Sequence, residues 1–316
     1  MWAYVARRLL MSGLSVFMVI VIVFFAVRLM PGDIVDQFFQ DSGSNPADAE
    51  ALRDELGLTD PILIQFADYT TSVIRGDFGK SLGNDEEISS MIKKRLPITI
   101  ELGVLALFYG TLIGIPLGVF SAVKQGTFLD YFLRSISILG ISIPFFWIAI
   151  LTIALPAYYW HWAPPVGHVS IFSDPIANLK HYTLPAIVLS VSLSGATMRM
   201  LRATLLEVLR LDFMRTAAAK GLSRQVQLRR HALRNALIPV VTLIGLRFIF
   251  LLSGSAIVET IYGLPGMGQL MLDSLSHRDY QVVQAVTLLL SFVIIGVNLL
   301  VDLSYGLIDP RIRVAK

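Results

Sequence analysis

The chain has 316 residues, 55% hydrophobic and 16% charged, with a formal net charge of +3 and a mean hydropathy of +0.68. Soluble domains are about 45–50% apolar and about 25% charged, so the composition excludes an ordinary soluble globular protein. The lack of cysteine excludes disulfides, thiolate metal sites and cysteine nucleophiles. No compact basic stripe interleaved with aromatics points to nucleic acid.

Apolar runs of about 20 residues match a ~30 Å hydrocarbon core at 1.5 Å rise per residue. Such runs predict an all-α integral membrane protein with six spans, at 9–30, 98–122, 135–156, 183–198, 236–258 and 282–304. The first follows Arg7-Arg8. It is too long for a signal-peptide core and no small-residue cleavage site follows, so it is an uncleaved span. The chain divides into a tip and first helix (1–30), an outer loop with short helices (31–97) and a five-helix core (98–316) with a cytoplasmic loop at 212–235.

Charge bias sets the orientation, because Lys and Arg are retained on the cytoplasmic side. With the N-terminus inside, the inner pieces (1–8, 123–134, 199–235, 305–316) hold 16 Lys/Arg against 4 Asp/Glu. The outer pieces (31–97, 157–182, 259–281) hold 8 against 17. Both termini are therefore expected in the cytoplasm. Four charges remain within spans: Arg28, Glu101, Arg247 and Asp302.

In the outer loop, Pro46 after Asn45 starts a helix ending at Gly57, and Asp60-Pro61 starts a second that runs to about Arg75 and stops at Gly76. The alternative is a solvated loop. Gly79-Lys80-Ser81 is not a P-loop, because Ile74 occupies the position where the first glycine would be needed. His161, His168, His181, His231 and His277 form no helical pair with a nearby carboxylate, so no metal site is expected. No serine sits in a nucleophile elbow. The chain offers no catalytic constellation and binds no cofactor of its own; another subunit must supply the energy.

The stretch 212–239, DFMRTAAAKGLSRQVQLRRHALRNALIP, is the most informative. Asp212 can cap a short helix that Gly221 ends in a left-handed turn, and Ser223 can cap a second helix leading into the fifth span. The result is a stiff hook below the membrane. Ala217, Ala218 and Ala219 keep its first helix slim enough to seat in a partner's groove. An amphipathic basic loop on anionic lipid is the competing reading.

This hook resembles the cytoplasmic coupling loop of bacterial ABC-importer permeases. Only Ala217 and Gly221 match the general E-A-A-x-x-x-G pattern, since Arg215 stands at the Glu position. The variant Arg215-Thr216-Ala217, Ala219-Lys220-Gly221-Leu222, His231, Leu233-Arg234-Asn235-Ala236 and Pro239 resembles the dipeptide/oligopeptide permease family closely. The likeness runs the length of the chain. It takes in Arg7-Arg8-Leu9, Leu29-Met30-Pro31-Gly32-Asp33, Leu56-Gly57-Leu58, Gly76-Asp77-Phe78-Gly79-Lys80-Ser81 and Arg95-Leu96-Pro97, then Leu264-Pro265-Gly266-Met267-Gly268, Arg278-Asp279-Tyr280 and Asp309-Pro310-Arg311-Ile312-Arg313.

The resemblance implies a type I ABC-importer permease in the bacterial inner membrane. It would form a heterodimer with a second permease, with two cytoplasmic ATPases that bind ATP and Mg and an extracytoplasmic substrate-binding protein. The hook residues Arg215, Thr216, Ala217, Ala218, Lys220, Gly221 and Ser223 would couple to the ATPase. Short peptides are the expected substrate, with nickel chelates, glutathione, opines or oligosaccharides as alternatives. A secondary transporter would need ionisable residues for ion coupling, and Arg247 cannot relay protons. Two further features are expected to matter. Glu259-Thr260-Ile261-Tyr262-Gly263-Leu264-Pro265-Gly266-Met267-Gly268 would form a short re-entrant outer gate rather than an exposed turn. Arg247, about eleven residues into its span, would lie near the midplane and face the pore or the partner, with Asn298 as a candidate neighbour.

Overall fold

The computed structural model describes residues 2–29, Val35, 46–55 and 57–308. The motif residues 30–33, Leu56 and 309–313 lie outside the described residues. Among those described, the named elements are helical, with one isolated bridge between Lys80 and Glu87. In chain order they are α1 (Trp2–Arg28), α2 (Pro46–Glu55), α3 (Ile62–Arg75), α4 (Ile88–Val123), α5 (Phe128–Ser142), α6 (Phe145–Trp160), α7 (Pro175–Val208), α8 (Asp212–Ala219), α9 (Leu233–Tyr262), α10 (Met267–Ser276) and α11 (Tyr280–Ile308).

Among the described residues, five helical stretches are long and apolar enough to cross a membrane: 5–28, 88–123, 175–208, 224–252 and 280–303. The span expected at 135–156 is not one helix. It is the pair α5 and α6, bent by 96°, which makes a sixth crossing if the pair counts as one. The bend has a local cause. Ile143 precedes Pro144, whose ring pushes its neighbour out of the helical region, and Ile143 is extended at φ −78, ψ 127. The outer loop contains both expected helices, α2 and α3; Gly76, left-handed at φ 76, ends α3.

The chain forms two compact units, one of residues 1–98 and 265–316 and one of 99–264. In the first, α1 lies along α11 and buries Ile20, Val23 and Phe24 with Val73 and Leu288. A second cluster joins Ile88, Met91 and Ile92 of α4 to Met267 and Leu270 of α10 and Val282 and Val286 of α11. The Ser81 hydroxyl donates to the buried Asp279 carboxylate, whose oxygens also receive Gly83 N–H and Val282 N–H. The triplet that fails as a P-loop is thus an anchor, joined to a motif 198 residues away.

In the second unit α7 is central, packed against α5, α6 and α9. It also meets a stripe of small residues on α4. A Cβ at Gly110 would lie 2.5 Å from Leu193 Cδ2, one at Gly114 would lie 2.8 Å from the Ser194 carbonyl, and one at Gly118 would lie 3.0 Å from the Met198 carbonyl. Spacing of four puts these glycines on one face, which lets two helices approach backbone to backbone, the usual device of helix packing in lipid. Gly195 repeats it against α5, at 2.7 Å from the Ser137 carbonyl.

Candidate functional site

The hook is built as the local sequence requires, with corrections of detail. α8 covers Asp212–Ala219, but Asp212 is its first residue rather than its cap; Leu211 is the cap, and the Asp212 carboxylate instead receives Arg215 Nη1 at 3.3 Å. Gly221 is left-handed at φ +77 and its N–H returns to the Ala218 carbonyl. Ser223 is the N-cap of the next helix without a side-chain cap bond, and Gln227 Nε2 donates to the Leu222 carbonyl at 2.7 Å, which stiffens the turn. The second arm begins as a short α-turn (Arg224–Val226), widens into a π-helix (Gln227–Ala232) and continues as α9.

The face each residue presents decides its part. Met214 and Ala217 point into the chain, and Met214 joins a cluster with Leu201, Leu205, Ala232 and Ala236. Ala217 is thus 7% exposed and is a packing residue of the hook, whereas the expectation gave it to the partner's groove. The outward face carries Phe213, Arg215, Thr216, Ala218, Ala219 and Lys220. Phe213, 41% exposed on a helix of eight residues, is the residue that sequence reasoning missed. Its signal was an aromatic four residues before Ala217, on the rim of the arc that Met214 and Ala217 bury.

The Asp130 carboxylate lies in the first turn of α5. Arg202 grips it with Nε and Nη2, both at 2.8 Å, while Ser121 Oγ and Gly126 N–H donate to the same oxygens. Asp130 is 1% exposed and ties α5 to α7. Thr204 Oγ1 reaches the Ala236 carbonyl at 3.0 Å and ties α7 to α9.

At the other end of α9, Gly263 closes the helix in the left-handed region at φ 63, with N–H groups of 263 and 264 returning to Thr260 and Glu259. A Cβ there would lie 2.5 Å from Val166 Cγ1, and the Gly263 carbonyl accepts Gly167 N–H. Glu259 is fully buried and accepts from Thr99 Oγ1 at 2.7 Å. Leu264, Gly266, Met267 and Gly268 are buried, Pro265 is half-buried, and Gly266 starts α10. The segment is not an exposed turn.

Three of the four in-span charges are satisfied within their own unit. Arg28 donates to Gln65 Oε1 at 3.1 Å and lies over the Phe24 ring; Asp302 pairs with Arg8 at 2.6 Å; Glu101 accepts from Asn178 at 2.6 Å. Arg247 meets the Phe250 ring at 5.7 Å and no carboxylate among the described residues. Asn298 lies half-buried on α11. His168 shares a hydrogen bond with the Tyr182 hydroxyl at 2.7 Å, and no group of three metal-ligating side chains occurs among the described residues. On α3, burial pushes the Tyr69 phenol up to about 12.

The family model described as binding-protein-dependent transport system inner membrane component matches residues 114–314, and its N-terminal companion matches residues 1–103. The chain belongs to this family. It is 38% identical to the probable peptide ABC transporter permease protein y4tP of Sinorhizobium fredii, over 99% of this chain and 100% of that one. It is also 38% identical to the dipeptide transport system permease protein DppB of Escherichia coli K12, over 99% of both. Among solved structures, an inward-facing MetNI methionine ABC transporter aligns with a TM-score of 0.57 at 19% identity, over 69% of this chain and 96% of that one. An amino acid ABC transporter with histidines aligns at 0.55 and 16%, over 68% and 92%. These two share the fold. As a member of the binding-protein-dependent transport family, the chain is a multi-pass protein of the bacterial inner membrane and a transport component of an ABC importer.

Proposed function

We propose that this permease forms one half of the translocation pore of an ATP-driven importer of short peptides, alongside a second, homologous permease. Two ATPases would bind ATP and Mg on the cytoplasmic side, and an extracytoplasmic binding protein would deliver substrate. The full-length identity to peptide and dipeptide permeases supports the substrate. The charge asymmetry supports cytoplasmic termini and a cytoplasmic hook.

The observation that carries the reading is the hook's outward face. Phe213, Thr216 and Ala218 are exposed at the tip of a packed, hydrogen-bonded element. Closure of the ATPases would push this rigid element and bias the spans between inward- and outward-open states. Residues 259–268 would act as the outer gate of that cycle.

The test is ATP-dependent accumulation of a labelled dipeptide by membrane vesicles holding the complete transporter. Phe213→Asp should leave the amount of assembled permease unchanged and abolish accumulation. Full accumulation by that variant would remove the hook's coupling role; accumulation of a different solute only would remove the peptide and leave the permease. For the gate, cysteine at Met267, buried in this structure, should react only in the nucleotide state that opens it. Equal reactivity in every state would contradict the gate.

A further inference from the structure

Arg134 of α5, Arg199 and Arg202 of α7 and Arg247 of α9 line one cavity of about 520 Å³. Among the described residues, Arg202 alone of the four has a counter-charge, the Asp130 carboxylate. Arg134 and Arg247 have only ring contacts, over Tyr131 and Phe250, each at 5.7 Å. Arg199 is exposed and has no hydrogen bond, ion pair or ring contact among the described residues. A guanidinium cannot shed its proton to relieve this crowding. Three uncompensated positive charges therefore converge on one space, between apolar walls that include Ile141, Met200 and Leu243.

The depth of the cavity follows from helix length. α7 has 34 residues and α9 has 30, so they are ~51 and ~45 Å long against a core of ~30 Å. Both must project beyond it, and counting from residue 236 does not fix the level of Arg247. It shares its cavity with Arg199 and Arg202. Those residues, with Arg134, belong to the segments that charge bias assigns to the cytoplasmic side.

We propose that this cavity is a binding site for the phosphate head of an anionic phospholipid of the inner leaflet. The proposal rests on the orientation given above. Planar guanidinium forks match phosphate oxygens in pairs, and basic pockets between spans on the cytoplasmic side hold anionic headgroups. The apolar walls accommodate the first carbons of the lipid. A solute in transit, by contrast, must bind weakly enough to leave. Three free guanidiniums favour a resident anion over a passing carboxylate, and they give Arg247 a role other than the pore contact expected from sequence.

The experiment uses the complete transporter, purified from membranes and exchanged into phosphatidylcholine nanodiscs doped with phosphatidylglycerol. Retained phosphatidylglycerol is counted by native mass spectrometry. The wild type should keep it. Arg134→Gln/Arg199→Gln/Arg247→Gln should lose retention on the order of a hundredfold, and Arg199→Gln alone, at an exposed and unpartnered position, should lose part of it. Arg7→Gln/Arg229→Gln/Arg230→Gln, which removes the same charge from exposed positions elsewhere, should keep it. Uptake of acidic relative to neutral dipeptides should not change in the triple variant. Equal lipid retention by the wild type and both cavity variants would overturn the proposal. Unchanged retention with lost preference for acidic peptides would give the cavity to the solute instead.

Discussion

The glycine seam and the hook both belong to the unit of residues 99–264, yet they are built on opposite terms. At the seam, Gly110, Gly114 and Gly118 meet α7 so closely that no Cβ fits without displacing a backbone carbonyl or a leucine. Every surface there is used inside the chain. At the hook, one arc of α8 is buried by Met214 and Ala217 while the other leaves Phe213 exposed and Arg215 at 82% exposure, with Asp212, its own neighbour, as partner. The first surface is satisfied within the fold; the second is the one proposed to meet a partner. Substitutions should therefore separate into those that remove the permease from the membrane and those that leave it in place but silent.

The largest effect should come from Asp130→Ala in the first turn of α5. It strands Arg202 and breaks a two-pronged pair with the carboxylate 1% exposed. The cost of breaking a buried pair is about 3–5 kcal/mol. The lower end applies here, because the Arg202 side chain remains 18% exposed and can be partly resolvated. Thermal unfolding in detergent should show a clear loss of stability, with Arg202→Ala close behind. If Asp130→Ala unfolds at the wild-type temperature, the tie between α5 and α7 is not structural.

Next comes the seam. Gly114→Leu overpacks a contact already at 2.8 Å for Cβ alone and should cost about 1–3 kcal/mol, or prevent helix association outright. Gly13→Leu, where nothing lies within 4 Å, is the matched control in the first unit. Equal membrane levels of the two variants would show that α4 and α7 do not need their close approach.

A smaller effect belongs to Gly221→Val. The left-handed turn at φ +77 has open space around it, so the penalty is conformational, about 1–2 kcal/mol. The variant should reach the membrane in near-normal amount with a displaced α8 and impaired uptake. Normal uptake would mean that the angle of the hook is not critical.

Much of this was legible in the sequence because it is local. Gly221 after a helix-favouring run marks a turn, and Pro46 and Asp60-Pro61 mark α2 and α3. What escaped is non-local or rotational. Three consecutive alanines carry no sign of which one faces inward, so Ala217 was assigned to the partner when its burial depends on α8 leaning on the second arm of the hook. The break between α5 and α6 lay in the Ile143-Pro144 step, hidden inside a run apolar enough to pass as one span. The bond of Ser81 to Asp279 spans 198 residues, and no pattern on either side announces the other. The depth of Arg247 is counted from a hydropathy boundary, and α9 is ~15 Å longer than the core requires, so helix length alone does not fix where that count begins.

The central claim is that the outward face of α8 is complete only when an ATPase covers it. The most direct measurement is a paired one on Phe213→Asp: the melting temperature of the purified permease and the ATP-dependent uptake of dipeptide by the assembled transporter. The account predicts a melting temperature close to that of the wild type, because Phe213 is 41% exposed at the rim of the packed face, together with loss of uptake. Wild-type uptake with this charge on the exposed arc would contradict it.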